Sequence, residues 1–381
     1  MEQKLFQKLF FKDIIKGLVF CFVILFCSAF FFPSRAFCYD TDIAHPNIAK
    51  MASELYNQTF DTDLTNEEVS WIEEGARQED TPFRWMNHFY DPVHEKGLVF
   101  SGVTYTSAKN WANSPFTQTN YALGDKSWQR ALDDIKKGDR KNAFKELGHT
   151  LHLIADMSVP AHTRNDVHAV PKDSFEEFVK NNWNSIAKNL KANYLTVDNL
   201  QTAFNDLANY SNNNFYSDDT IESGKYNKIE ITNKIEFSYN NNFYYYNYSN
   251  YNNKEYKIFI SRKKINWKTG LDNQKDNFLE PFGNGVILSD YSSILLPKAV
   301  AYSSGVIKLF IDETNKIETD KIALPSSRES WTGFFNRAAG SLVSGAEKVY
   351  DLAKNVFGVK DKTLALSNEA GASPNSELSG E

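Results

Sequence analysis

The segment ELGHTLHLIADMSVPAHTRND, residues 146–166, holds three of the chain's seven histidines. His152 and Asp156 are four residues apart, so on a helix they leave one face a turn apart and can reach one ion. Pro160 disfavours helix at the residue before it, so the chain turns there and His162 can approach from another side. Imidazole with carboxylate is a ligand set suited to zinc. The competing account is a polar helix face with satisfied surface histidines. A lone His-x-x-x-Asp pair would favour that account; a full run of ligand types around a proline turn favours a metal.

The elements that must hold these residues read as mostly helical. Thr65-x-x-Glu68 is a capping box ahead of VSWIEEGARQ. Residues 126–137 alternate apolar and charged types at helical spacing. Asp139 follows Gly138 and can cap a helix running to about Met157. SFEEFVKNNWNSIAKNLKANY is a further helix, and SDYSSILLPKAVAYSSGVIKLFID is a strongly apolar one with Pro297 as an expected kink. Between about 210 and 262 Asn and Tyr dominate, and NKIEITNKIEFSY and YKIFIS alternate with period two. The expected fold is therefore mainly α-helical: a single multi-helix domain over residues 39–317 with a small β insertion. Residues 327–357 place Trp331, Phe335, Ala338, Leu342, Val349 and Val356 at near-helical intervals, an amphipathic helix before a disordered end. That helix could touch a membrane surface or pack on the protein's own body.

The N-terminus reads as a secretory signal peptide over residues 1–38. Lys4, Lys8, Lys12 and Lys16 precede an uncharged apolar run from Leu18 to Phe32, then Pro33, Ser34, Arg35, Ala36, Phe37 and Cys38. The run is short for a spanning helix, which needs roughly 20 apolar residues. Export to the periplasm or the medium is expected. Cleavage after Cys38 would remove all three cysteines (Cys21, Cys27, Cys38), leaving no thiol for a disulfide or a Cys-based metal site. The leader has five basic and two acidic residues, so the rest of the chain carries −9 where the whole carries −6. That acidity disfavours general nucleic-acid binding.

With those residues in place, HLIADMSVPAHTRN resembles the signature of the prokaryotic zinc-dependent phospholipases C, His-x-x-x-Asp-x-x-x-Pro-x-His-x-x-Asn. The wider superfamily includes single-strand-specific nucleases. DIAHPNIAKMASELY resembles the family's early histidine segment, and GARQEDTPFRWMNHFYDP the segment that supplies an aspartate and a histidine. The resemblance covers residues 39–180 and extends toward the apolar helix at 290–312. It implies a helical fold, three zinc ions and phosphate-ester hydrolysis.

The resemblance also implies a ligand set. One zinc would take Asp80, His88, His152 and Asp156. A second would take His162, His168 and Glu176. The third would take the amine and carbonyl of Tyr39 with His45 and Asp156. Two departures stand out. The family's first residue is Trp, and here it is Tyr39. The later His and acid are commonly one turn apart, and here His168 and Glu176 are eight apart, with Asp173 and Glu177 as rivals. His149 matches no ligand position, so it is expected behind the ligands or at the surface. His94 is expected in a loop.

A bound zinc lowers the pKa of its water from about 16 toward about 7, which yields hydroxide at neutral pH. Asp80 is the expected catalytic carboxylate, either as a ligand or as the base that orients the water. The expected function is a secreted zinc-dependent phosphodiester hydrolase, foremost a phospholipase C. The alternatives are a single-strand nuclease or nucleotidase, in which Trp85, Phe89 or Tyr90 would stack on a base, and a zinc-binding relative without catalysis. The expected partner is a phospholipid or another phosphodiester, with peripheral membrane contact, no protein partner and a monomeric chain.

Overall fold

The computed structural model describes residues 42–60, 64–81, 83–167, 173–251, 253–263 and 276–322, with side chains through 319. The leader, Tyr39, His168 and the 327–357 segment lie outside the described residues. The chain divides into one unit over 1–319 and another over 320–381. Within the first, the helices are α1 (Ala44–Phe60), α2 (Asn66–Gln78), α3 (Ala108–Asn113), α4 (Pro115–Gln118) and α5 (Trp128–Lys137). They continue with α6 (Arg140–Asp156), α7 (Pro160–Thr163), α8 (Ser174–Asn189), α9 (Leu200–Asn214) and α10 (Val286–Ile322). A short hairpin, β1 (Val99–Phe100) and β2 (Val103–Thr104), precedes α3. The fold is mainly α-helical, as the periodicity predicts.

The caps form where sequence places them. Thr65 Oγ1 accepts from the Glu68 amide at 3.2 Å and Glu68 returns the bond to the Thr65 amide at 2.8 Å, which starts α2. Gly138 ends α5 with φ 84°, a left-handed conformation that glycine adopts at no steric cost. Asp139 then caps α6 through the Asn142 amide at 3.2 Å. Pro160 does more than stop α6. It occupies the first position of the single helical turn α7, which carries His162.

Two glycines set the approach of α2 to α6. A Cβ on Gly75 would lie 1.9 Å from the Lys145 carbonyl oxygen, and one on Gly148 would lie 2.2 Å from that of Ile72. The two backbones are in contact there, and this brings the Ala76 carbonyl within 2.7 Å of His152 Nδ1. Gly148→Ala is therefore expected to destabilise the protein by on the order of 3 kcal/mol, the upper end of overpacking costs, and to pull His152 off its backbone anchor. Thermal denaturation measures the first effect. Unchanged stability would mean that the helices separate freely.

The remaining elements close the unit around α6. Phe310 of α10 meets Trp128 and Phe144 edge-on at 5.4 and 5.6 Å. Pro297 lies inside α10, where it removes one backbone donor. That helix is long and apolar enough to cross a bilayer, yet Leu295, Leu296, Val300, Ile307 and Phe310 are buried in the core. The Asn/Tyr-rich region forms an antiparallel sheet in the order β3 (Asn233–Tyr239), β4 (Asn242–Tyr251), β5 (Lys254–Arg262) and β6 (Asn277–Phe278). Residues 210–214, compositionally part of the insertion, belong to α9 instead. Asn240 and Asn241 both take positive φ at the β3–β4 turn, as a tight hairpin requires. β5 is docked on the helices: the Ile258 carbonyl accepts from Tyr291 Oη at 2.7 Å, and the Lys257 amide donates to Asp290 at 2.9 Å.

Candidate metal centre

The end of α2, the start of α1 and the last two turns of α6 converge on Asp156, which is fully buried. His45 Nε2 lies 3.4 Å from Asp156 Oδ1, His88 Nδ1 lies 3.2 Å from Oδ2, and His152 Nε2 lies 3.6 Å from Oδ2. Asp80 Oδ1 is 3.4 Å from His88 Nδ1 and 3.6 Å from His152 Nε2. The rings of His45 and His152 stack with centroids 3.5 Å apart. Two groups result, His45 with His152 and Asp156, and Asp80 with His88 and His152, each with its ligand atoms within 4.8 Å of one another.

These separations fit a metal. Two tetrahedral ligands on a zinc sit about 3.4 Å apart, given bonds near 2.1 Å. The histidine-to-carboxylate distances, from 3.2 to 3.6 Å, bracket that value, and both Asp156 oxygens are buried. The field is also right for a cation. Burial opposes charge on His88, yet Asp156, Glu79 and Asp80 outweigh it and push the pKa up to about 10. Where three carboxylates hold a proton on a buried ring, they would also favour a metal ion, which binds once that proton leaves.

Backbone carbonyls fix two of the rings. A carbonyl only accepts, so His152 Nδ1 must donate to Ala76 and His162 Nδ1 must donate to the His88 carbonyl at 3.1 Å. Nε2 is then the free lone pair of each. His152 therefore has one nitrogen to offer, although it belongs to both groups, and it can serve one ion only. Asp156, with two oxygens, is the residue able to bridge. His162 Nε2 faces Glu176 Oε1 at 3.1 Å. Of the rivals to Glu176, Asp173 caps α8 through the Glu176 amide at 2.9 Å, and Glu177 is exposed.

Aromatic and polar neighbours complete the site. Phe89 stacks on His162 with centroids 4.5 Å apart, and Tyr90 is fully buried. Neither presents a free face to a base, as the nuclease reading requires; Trp85 is half-buried. Arg164 binds the Asn212 carbonyl through Nε at 2.9 Å and Nη2 at 2.6 Å, tying the chain after His162 to α9. His94 sits in a loop, bonded to Asp91 at 2.7 Å.

Sequence reasoning did not find Glu79. It is buried beside Asp80 and accepts from Arg84 Nη2 at 2.8 Å, Trp111 Nε1 at 2.8 Å and His149 Nδ1 at 2.5 Å. Its oxygen Oε1 lies 3.7 Å from His88 Nε2. Burial raises its pKa, but Arg84, the bond from His149 and the nearby His88 ring win and hold it well below the usual carboxylate range. An acid next to an acid carries no sequence signal of this role, because its partners Trp111 and His149 lie 32 and 70 residues away.

A buried constellation of imidazoles and carboxylates at the heart of a helical fold defines a candidate divalent-metal protein. Over 114 residues the chain is 25% identical to the phospholipase C of Bacillus cereus, a match covering 30% of this chain and 34% of that protein. The chain thus aligns with about a third of its relative. This similarity supports the phospholipase C resemblance read from the motifs. No protein-family model matches. The chain is also similar to two solved alpha-toxin structures, from Clostridium absonum and from an avian strain of Clostridium perfringens. They align with 73% and 74% of this chain and 66% of each toxin, both at 12% identity and a TM-score of 0.39.

Proposed function

We propose that this protein is an exported zinc-dependent phosphodiester hydrolase, and specifically a phospholipase C that releases phosphorylated headgroups from phospholipids. The observation that carries the reading is the convergence of His45, His88 and His152 on buried Asp156 at zinc-like ligand separations. His45, Asp80, His88, His152 and Asp156 would hold metal together. His162 and Glu176 would hold it beside them, with His168 and, in a chain cut after Cys38, the amine of Tyr39 completing a set for three ions. Bound zinc supplies a nucleophilic water at neutral pH and offsets charge on the phosphoryl oxygens.

The chain's own residues do the rest. Asp80 is the less buried of the two carboxylates that face His152, so it is placed to orient the attacking water and take its proton. Asp156, shielded from solvent, faces three of the rings and is placed to bind the cations. The Ala76 and His88 carbonyls keep His152 and His162 in one tautomer. The lipid substrate rests on the similarity to the Bacillus enzyme. Burial of Phe89 and Tyr90 counts against the nuclease alternative. A peripheral membrane contact of the 327–357 segment and a monomeric state belong to the same reading.

The test is zinc content measured together with turnover of phosphatidylcholine and of single-stranded DNA, on protein beginning at Tyr39. Zinc with phosphatidylcholine hydrolysis is the expected result. Zinc with DNA cleavage alone would transfer the reading to the nuclease, and zinc without turnover would leave a binding protein.

A further inference from the structure

We infer that Glu79 is the positioning residue for His88: its buried carboxylate holds the proton on Nε2 and so turns the Nδ1 lone pair toward Asp80 and Asp156. The inference rests on the metal-centre reading above. It begins from an inversion among the rings. In His152 and His162 the Nδ1 proton goes to a backbone carbonyl, and Nε2 faces the carboxylates. His88 is reversed. Its Nδ1 faces Asp156 at 3.2 Å and Asp80 at 3.4 Å, and its Nε2 faces Glu79 at 3.7 Å.

A ligand nitrogen needs its lone pair free, so the other nitrogen must carry the proton, and a negative neighbour fixes which is which. At 3.7 Å Glu79 acts through its charge more than through a direct hydrogen bond. That charge is held in place and in shape. Arg84 grips it through Nε at 3.1 Å and Nη2 at 2.8 Å, Trp111 donates to Oε1, and His149 donates to Oε2. Arg84 is itself pinned by the carbonyls of Ala122 and Gly124 and by Gln118. The network reaches four separate segments to support one carboxylate. A purely structural ion pair would not need that carboxylate to face the back of a ligand ring.

Two measurements on the whole protein test this. The first is the tautomer of His88 in zinc-loaded wild type, by nitrogen-15 NMR of the ring. A proton on Nε2 with Nδ1 shifted by metal is expected, and a proton on Nδ1 would overturn the inference. The second is zinc affinity by chelator competition. Glu79→Gln should bind zinc about 10–100-fold more weakly, the usual cost of losing such a partner. Trp111→Phe removes one bond to Glu79 but keeps its charge, and should weaken zinc binding by clearly less than Glu79→Gln does. Equal affinity in Glu79→Gln and wild type would sink the idea, as would a Trp111→Phe loss as large as that of Glu79→Gln. Should Glu79→Gln fail to fold, the tautomer in wild type decides alone. Wild type that binds no zinc would instead bring down the metal-centre reading itself.

Discussion

Asp156→Ala should empty both histidine groups of metal and lower turnover of a phosphodiester by at least about a hundredfold, beyond the 10–100-fold typical of losing a supporting partner. Three rings, those of His45, His88 and His152, approach its two oxygens within 3.6 Å. Among the described residues, no other touches both groups with two donor atoms. His152 is shared as well, but its Nδ1 is committed to Ala76 and leaves a single nitrogen. Removing Asp156 also leaves buried imidazoles beside a smaller negative charge, and breaking a buried pair commonly costs about 3–5 kcal/mol. The variant must therefore be shown to fold by circular dichroism before zinc is counted. Asp156→Asn keeps the shape and loses the charge, and should fall almost as far. Full zinc content with normal turnover in either variant would mean that the ion sits elsewhere.

Much of this centre is legible in the chain because it is local. His152, Asp156 and His162 lie within eleven residues, and helix geometry with one proline determines how they can meet. The capping residues Thr65 and Asp139 likewise act on their own helices. What sequence cannot show is how the segments seat on one another. Glycine inside a helix ordinarily weakens it, yet Gly75 and Gly148 each permit a backbone contact across to the other helix. Phe89 and Tyr90 have the chemistry of a stacking platform, but packing spends one on His162 and the other on the core. Glu79 is hidden for the same reason: its role comes from Arg84, Trp111 and His149, which only the fold gathers. His152 belongs to both groups where the resemblance gave it to one, and this too is a matter of three-dimensional closeness.

Metal-free protein should lose stability toward strong acid and toward alkaline pH, and zinc should offset the alkaline loss. His88 contributes to the alkaline limb, together with Glu146 and His152, whose values are also raised. Burial opposes its charge, but Asp156, Glu79 and Asp80 prevail and raise its pKa to about 10 from an unfolded value near 6.5. A raised value means that folding favours the protonated ring. That stabilisation is complete below about pH 6.5 and is lost as pH climbs through about 10, at up to about 1.4 kcal/mol per pH unit. His149 carries the acid limb. Burial lowers its pKa to about 4 despite the bond to Glu79. Its contribution is present above about pH 6.5 and disappears as pH falls toward about 4. Zinc needs His88 neutral, so binding releases the proton, and the gain from zinc grows as pH rises. At a hundred times its dissociation constant a ligand adds about 2.7 kcal/mol. Melting temperatures of metal-free and zinc-buffered protein, taken from about pH 6.5 to about pH 9.5, should therefore diverge steadily, the metal-free curve falling faster. His88→Gln should lessen the metal-free decline, leaving the part due to Glu146, which burial raises to about 8, and to His152, and it should shrink the divergence. A zinc increment that stays constant or shrinks over that range would show that His88 does not exchange its proton for the ion.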